Sequence, residues 1–297
     1  MLRRIYGYKN VHTRPNAGDI VVMSLIKMQI TVETENTKFQ CSQCGKCCSR
    51  IRGNISSSDL EFLEEHAYGN LPIVQLNPIR KTSFPLWDWE AKRFMQWQKE
   101  AGIDARIMPS KAILDLNSNK AIIVSYHMDY DSCPFLKDNK CSIYYTKRAY
   151  VCRMFPFNRG PFLNIGENKN NIKKENLFGE CGGMKNVMPN IPDDFKEMIK
   201  FLSKTFPDGS FVNAVQNDTI IEWMNKIIIQ LIRSEKIRPA INYPYRFLTK
   251  RIDNSEKIDF TVFLMDIGFI GKDEMENIIK RFDENSDAME NIKGFFW

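Results

Sequence analysis

Cys41-Ser42-Gln43-Cys44-Gly45-Lys46-Cys47-Cys48 holds half of the chain's eight cysteines. Two residues between sulfurs is the separation at which a tight turn brings two thiolates onto one metal ion or cluster. Gly45 allows the backbone a positive φ there and a close approach to a bound ion. The other four thiols, Cys133, Cys141, Cys152 and Cys181, come later in the chain. Four cysteines crowded in one loop and four returning from afar read as a metal-binding framework, with all eight as candidate ligands.

Cys41, Cys44 and Cys47 follow the C-x2-C-x2-C opening of bacterial ferredoxins, in which one loop supplies three ligands to an iron–sulfur cluster. The match then stops, because Cys48 follows at once instead of three residues and a Cys-Pro. Adjacent side chains diverge, so Cys47 and Cys48 reach one metal only through a sharp turn. It is easier for them to serve two centres, or for one to be a spare or redox-active thiol.

With 297 residues the chain can bury a full core, and its 43% hydrophobic and 26% charged content is that of a globular protein. No stretch approaches the roughly 20 consecutive apolar residues that cross a bilayer. No apolar run follows Arg3 and Arg4, so a signal peptide is not expected and the sequence points to the cytoplasm. There the thiols stay reduced, which favours metal ligation or redox chemistry over four disulfides.

A net charge of +6 is too modest to argue for nucleic acid, and no finger-like Cys/His spacing is present. The charge is nevertheless concentrated. Lys137, Lys140, Lys147, Arg148, Arg153, Arg159, Lys169, Lys173 and Lys174 face only Asp138 and Glu167 in the same segment. Cations there would offset a tetrathiolate centre, and Arg153, beside Cys152, is the expected one. His127, six residues before Cys133, is a candidate ligand or proton donor, outweighed by the reading of a satisfied hydrogen-bonding histidine at a strand end, and His12 and His66 carry weaker cases. So few histidines exclude a His-rich hydrolytic zinc site. The common phosphate-binding and hydrolase motifs are absent, and Thr37 stands where a radical-SAM loop would need its first thiol.

Along the chain, residues 1–27 read as an arm and Met28 begins an alternating, strand-like run into the cysteine loop. A serine-capped helix is expected at Ser56–His66 and a second from Trp87 to Ala101, closed by Gly102, with Trp87, Phe94 and Trp97 as core residues. Runs at Ala112 and Ala121 around Asn117-Ser118-Asn119-Lys120 predict a hairpin that delivers the chain to Cys133. Asn164 to Asn176 reads as a surface loop. Beyond Pro192 the pattern turns helical, at Asp193–Phe206, Asp218–Lys236 and Lys272–Phe282. The expected fold is α+β. A cysteine-rich metal-binding core with a β-hairpin and flanking helices (28–190) precedes a helical C-terminal region (191–297), whose helices form a bundle or a surface for a protein partner.

Cys133-Pro134-Phe135-Leu136, Cys141-Ser142-Ile143-Tyr144-Tyr145 and Arg148-Ala149-Tyr150-Val151-Cys152, followed by Phe155-Pro156, complete a signature with the opening loop. Over roughly residues 39–185 it resembles the YkgJ-like cysteine-cluster family, described as zinc- or iron-chelating proteins, whose domain also appears in flagellin lysine methylases. Ala149 departs from it, since the family has Arg-Pro there; this loosens a turn and removes no ligand. The resemblance implies a metal centre, either an iron–sulfur cluster (4Fe-4S by the methylase branch) or zinc. It leaves three expectations. The first is an iron–sulfur protein in redox or cofactor use, with SAM-dependent lysine methylation as its family-derived variant. The second is a zinc-stabilised scaffold or metal-handling protein without catalysis, and the third and weakest is nucleic-acid binding.

Overall fold

Residues 38–52, 71–78, 81–104, 106–145, 147–162 and 177–296 are described by the computed structural model. The chain divides into two compact units, Met1–Lys38 and Phe39–Trp297, and the second carries the fold and every cysteine. The arm, the run from Met28, the helix at Ser56–His66 and the loop at Asn164–Asn176 lie outside the described residues. The architecture is α+β. Strands β1 (Val74–Gln75), β2 (Pro85–Leu86), β3 (Ile107–Leu114), β4 (Ala121–Met128) and β7 (Lys257–Asp259) form one sheet, and β5 (Leu136–Lys137) pairs with β6 (Lys140–Cys141) in a small hairpin. The helices are α1 (Lys46–Ser49), α2 (Asp88–Glu100), α3 (Tyr150–Met154), α4 (Phe195–Thr205), α5 (Ser210–Arg233), α6 (Tyr245–Asn254), α7 (Phe260–Asp266), α8 (Lys272–Asp283) and α9 (Ser286–Lys293).

The predicted hairpin is β3–β4, and β3 starts earlier than the apolar run, at Ile107. Side chains alternate across a strand, and here the two faces feed two cores. Ile113, Ile122 and Val124 pack with Met224, Ile228 and Leu231 of α5 and with Phe260 and Leu264 of α7. Ala112, Leu114, Ala121 and Ile123 pack instead with Val74 and Ile252. Because both faces of β4 are covered, its sequence is a nearly continuous apolar run. β2 pairs antiparallel with one end of β4, and β7 pairs parallel with the other. Asp115 closes the turn, accepting from the Ser118 amide (2.9 Å) and hydroxyl (2.6 Å), and also from the Arg238 amide at 2.8 Å.

The helix expected over Trp87–Ala101 is α2, with Trp87 at its N-cap and Gly102 beyond it at φ 65°. Phe94 is buried, and Trp87 and Trp97 are half-buried. α4 and α8 fall where expected, and Asp194 caps α4 by accepting from the Glu197 amide at 2.9 Å. The helix expected from Asp218 begins eight residues earlier, at Ser210, and ends at Arg233 rather than Lys236. Its first half carries Asn213, Gln216 and Asp218, which are polar in sequence but buried in the fold. Gln216 accepts from the Ala288 amide (3.1 Å), and Asp218 accepts from the amides of Gly160 and Phe162 (2.9 Å each). Phe211, Ala214 and Val215 belong to one core, and Met224, Ile228 and Leu231 to another, so α5 runs through both.

Glu90 of α2 holds the start of α3. Its carboxylate accepts from the Tyr150 amide at 2.7 Å and the Trp87 amide at 3.4 Å. Burial pushes its pKa from the ordinary 4.5 up to about 7, against the pull of those amides and of Arg153. The folded state therefore keeps the Glu90 proton to higher pH than the unfolded chain does. Its contribution to stability is complete below pH 4.5 and is lost as pH rises towards 7. The loss is on the order of 3 kcal/mol. In Glu90→Gln, urea midpoints measured across that window should lose this downward slope, and an unchanged slope would place its origin elsewhere.

Candidate metal centre

The opening loop is shaped by two left-handed residues, Gln43 (φ 52°) and Gly45 (φ 74°). Gly45 precedes the single turn of α1, and its carbonyl accepts from the amides of Cys48 (3.0 Å) and Ser49 (2.9 Å). Cys47 and Cys48 are thereby held on a short helical turn, with their sulfurs 3.7 Å apart. A Cβ on Gly45 would stand 2.5 Å from the Asn139 carbonyl oxygen. The positive φ and this contact both select glycine. Gly45→Ala should lower stability by about 1–3 kcal/mol and reduce the metal recovered with the protein. A urea midpoint within error of the parent would reject the close approach.

The second group of cysteines is brought to this loop by backbone pairing. The Cys133 amide donates to the Cys48 carbonyl at 2.7 Å, and the Ile51 amide to the Asp131 carbonyl at 2.7 Å. Cys141 lies on β6 after a tight turn in which Asp138 and Asn139 both have positive φ, the geometry of a type I′ hairpin. Cys152 sits on α3. That helix starts after Ala149, whose φ of −68° is the value a proline would impose, so the departure from Arg-Pro leaves this backbone unchanged. Cys181 caps the short 3-10 turn Gly182–Met184.

All eight cysteines line one cavity. Its walls also include Phe84, Phe94, Phe135, Ile143 and Tyr144, so it is largely apolar between the sulfurs. Packing divides the thiols. Cys41 and Cys181 pack against the core of Phe39, Met154 and Met184, whereas Cys48, Cys133 and Cys152 pack with Ile51, Phe94 and Phe135. Electrostatic reach adds Cys44 to the first group and Cys141 to the second, and Cys47 reaches both. Cys181 feels Cys41, Cys44 and Cys47, and Cys152 feels Cys133, Cys141 and Cys47. Cys47 stands between the groups. The sulfurs ring the cavity and do not meet at a point: among the described residues, no three His, Cys, Asp or Glu side chains are placed to hold one ion.

The thiols differ in environment. Cys44 is exposed, and the Lys46 amide and the Ser42 hydroxyl pull its pKa down. The hydrogen bond with Cys48, and then burial, push the Cys47 thiol strongly up. Burial raises Cys133 to about 11 and also lifts Cys152 and Cys181. Buried thiolates need a cation, and a thiophilic metal supplies one while displacing the protons. Of the two arginines near Cys152 in sequence, it is Arg148 and not Arg153 that stands at the sulfurs, where Lys46 and Lys147 also line the cavity. Arg148 lines the cavity, donates to the Cys152 carbonyl and favours the thiolates of Cys47 and Cys152. One residue along a helix turns the side chain by about 100°, so Arg153 leaves the cavity that Cys152 faces. Arg148 lies ahead of that helix, before the extended Ala149, and the chain there carries its side chain to the cavity. Nothing in the sequence singled it out.

His127 does not line the cavity. It is buried on β4, where the Asn77 amide nitrogen lies 2.7 Å from its Nε2, and burial lowers its pKa. His12 and His66 lie outside the described residues, as do Lys169, Lys173 and Lys174.

An α+β fold that gathers cysteines from one loop and four distant positions around an apolar chamber defines a metal-binding cysteine-cluster protein. Residues 40–178 match the CxxCxxCC family model, described as "Putative zinc- or iron-chelating domain". The match spans seven of the eight cysteines and ends before Cys181. Comparison with curated proteins and with solved structures found no match. Among the described residues, no helix is long and apolar enough to cross a membrane.

Proposed function

We propose that the eight cysteines hold metal in two sets of four. The first is Cys41, Cys44, Cys47 and Cys181, which carries a four-iron iron–sulfur cluster for redox or cofactor use. The second is Cys48, Cys133, Cys141 and Cys152, which forms a structural tetrathiolate site of the zinc type. The observation that carries this reading is the convergence of all eight sulfurs on one cavity, with Cys41 and Cys181 packed on one core and Cys48, Cys133 and Cys152 on another.

The donor set fits both groups, since thiolates suit zinc and iron–sulfur clusters alike. Three ligands from one C-x2-C-x2-C loop and a fourth from a distance is the ferredoxin manner of holding a cluster. Such a cluster supplies one-electron transfer, and the exposure of Cys44 leaves that side of the chamber within reach of a redox partner. In the second set, Cys133 is buried and Cys48, Cys141 and Cys152 are half-buried, and Phe94, Phe135 and Ala149 pack with Cys48, Cys133 and Cys152. Closed apolar surroundings of this kind suit a structural ion. Arg148 offsets thiolate charge from the wall of the chamber.

The test is anaerobic purification, followed by a visible spectrum and by iron, acid-labile sulfide and zinc assays on one sample. Broad thiolate-to-iron absorption with matched iron and sulfide, together with zinc, is the expected result. A colourless protein holding only zinc after attempted cluster reconstitution would overturn the iron–sulfur assignment and leave a zinc scaffold.

A further inference from the structure

A second cavity, of about 270 Å³, adjoins the cysteine chamber, and Lys147 and Arg148 line both. Four basic side chains face it, those two with Arg93 and Arg153, against the two carboxylates Glu90 and Asp283. Both acids are already engaged. Arg93 grips Asp283 with two contacts, at 3.0 Å and 2.8 Å. Glu90 directs its oxygens to the amides of Tyr150 and Trp87.

The cations are less completely used. Lys147 pairs with Glu100 on the exposed side, and Arg148 donates to the Cys152 carbonyl. Arg153 lies over the Tyr150 ring, 4.0 Å from its centroid, and donates to the Asp283 carbonyl across a long 3.4 Å contact. Its Nε is buried with no acceptor among the described residues. A guanidinium held by stacking in the wall of a basic cavity presents its terminal N–H groups in the planar fork that an oxyanion accepts from. Trp97 adds an apolar wall.

We propose that this cavity is an anion site for a small molecule bearing a carboxylate or phosphate group, held by Arg153 with Arg148 and Lys147. The anion then lies next to the cysteine chamber, across a wall made of two residues common to both. The site stands on its own geometry and does not require the metal assignment.

Inorganic phosphate and acetate, each titrated into the full-length protein against chloride at matched ionic strength, test it by tryptophan fluorescence. A saturable change with phosphate or acetate, and not with chloride, is expected. Saturation by one of them alone identifies which oxyanion the site takes. Arg153→Gln should weaken the binding about tenfold or more, and Arg153→Lys should restore part of it. Metal content should stay at the parent level in both variants, which separates failure of this site from failure of the metal reading. If Arg153→Gln does not fold, Trp97→Phe decides, since the anion-induced signal must then be lost with its reporter. A response that does not saturate, matches chloride, or persists unchanged in Arg153→Gln or Trp97→Phe would overturn the proposal.

Discussion

Cys181→Ser is expected to remove the iron and sulfide from the protein and leave the zinc in place, whereas Cys152→Ser should do the reverse. Each variant loses about half of the thiolate-bound centres. The contrast rests on packing: Cys181 shares a core with Cys41, and Cys152 shares another with Cys48 and Cys133. The two losses should also differ in consequence. The second set joins the opening loop to two further segments, the chain around Cys133 and α3, and the first to one, around Cys181, so an ion in the second would cross-link more of the chain. In isolated zinc modules, metal-coupled folding is worth on the order of 10 kcal/mol. Cys152→Ser should therefore cause the larger fall in melting temperature, with the serine hydroxyl left in apolar surroundings adding to it. Metal analysis and thermal unfolding on the two variants read both effects. Equal loss of every metal from either variant would mean that the eight cysteines hold a single centre.

Asp218→Ala is the second large effect. The buried carboxylate receives the amides of Gly160 and Phe162, the stretch that leaves α3. A Cβ on Gly160 would collide with that carboxylate and with the Ala214 carbonyl, which shows how closely the segment lies on α5. Removing the acceptor strands the buried Gly160 amide and deprives the half-buried Phe162 amide of its partner. Hydrogen bonds to a charged acceptor contribute about 1.5–3 kcal/mol each, so roughly 3 kcal/mol or more of stability should go. The readout is the urea midpoint. A change below about 1 kcal/mol would show that another acceptor replaces the carboxylate.

Several elements are legible in the sequence because local chemistry and burial agree in them. The apolar runs around Asn117-Ser118-Asn119-Lys120 form a hairpin, and the Asp194 cap and Gly102 mark helix ends where expected. The first turns of α5 are not legible, because Asn213, Gln216 and Asp218 are polar and a sequence does not reveal that a buried polar group has found its partners. Arg148 takes the place expected for Arg153 for a related reason. Adjacency to Cys152 in sequence is not adjacency in space, since a helical turn directs neighbouring side chains apart.

By itself the sequence determined the α+β class and the cysteine-cluster signature, because cysteine spacing and apolar periodicity are local properties that survive any packing arrangement. It also raised, from the adjacency of Cys47 and Cys48, the idea of two centres without assigning a single sulfur. Only the tertiary structure decided which thiols share a core, that Arg148 rather than Arg153 faces them, and that a basic cavity shares their wall. Those relations join residues tens of positions apart, and they exist only once α5 and the hairpin have brought the segments together.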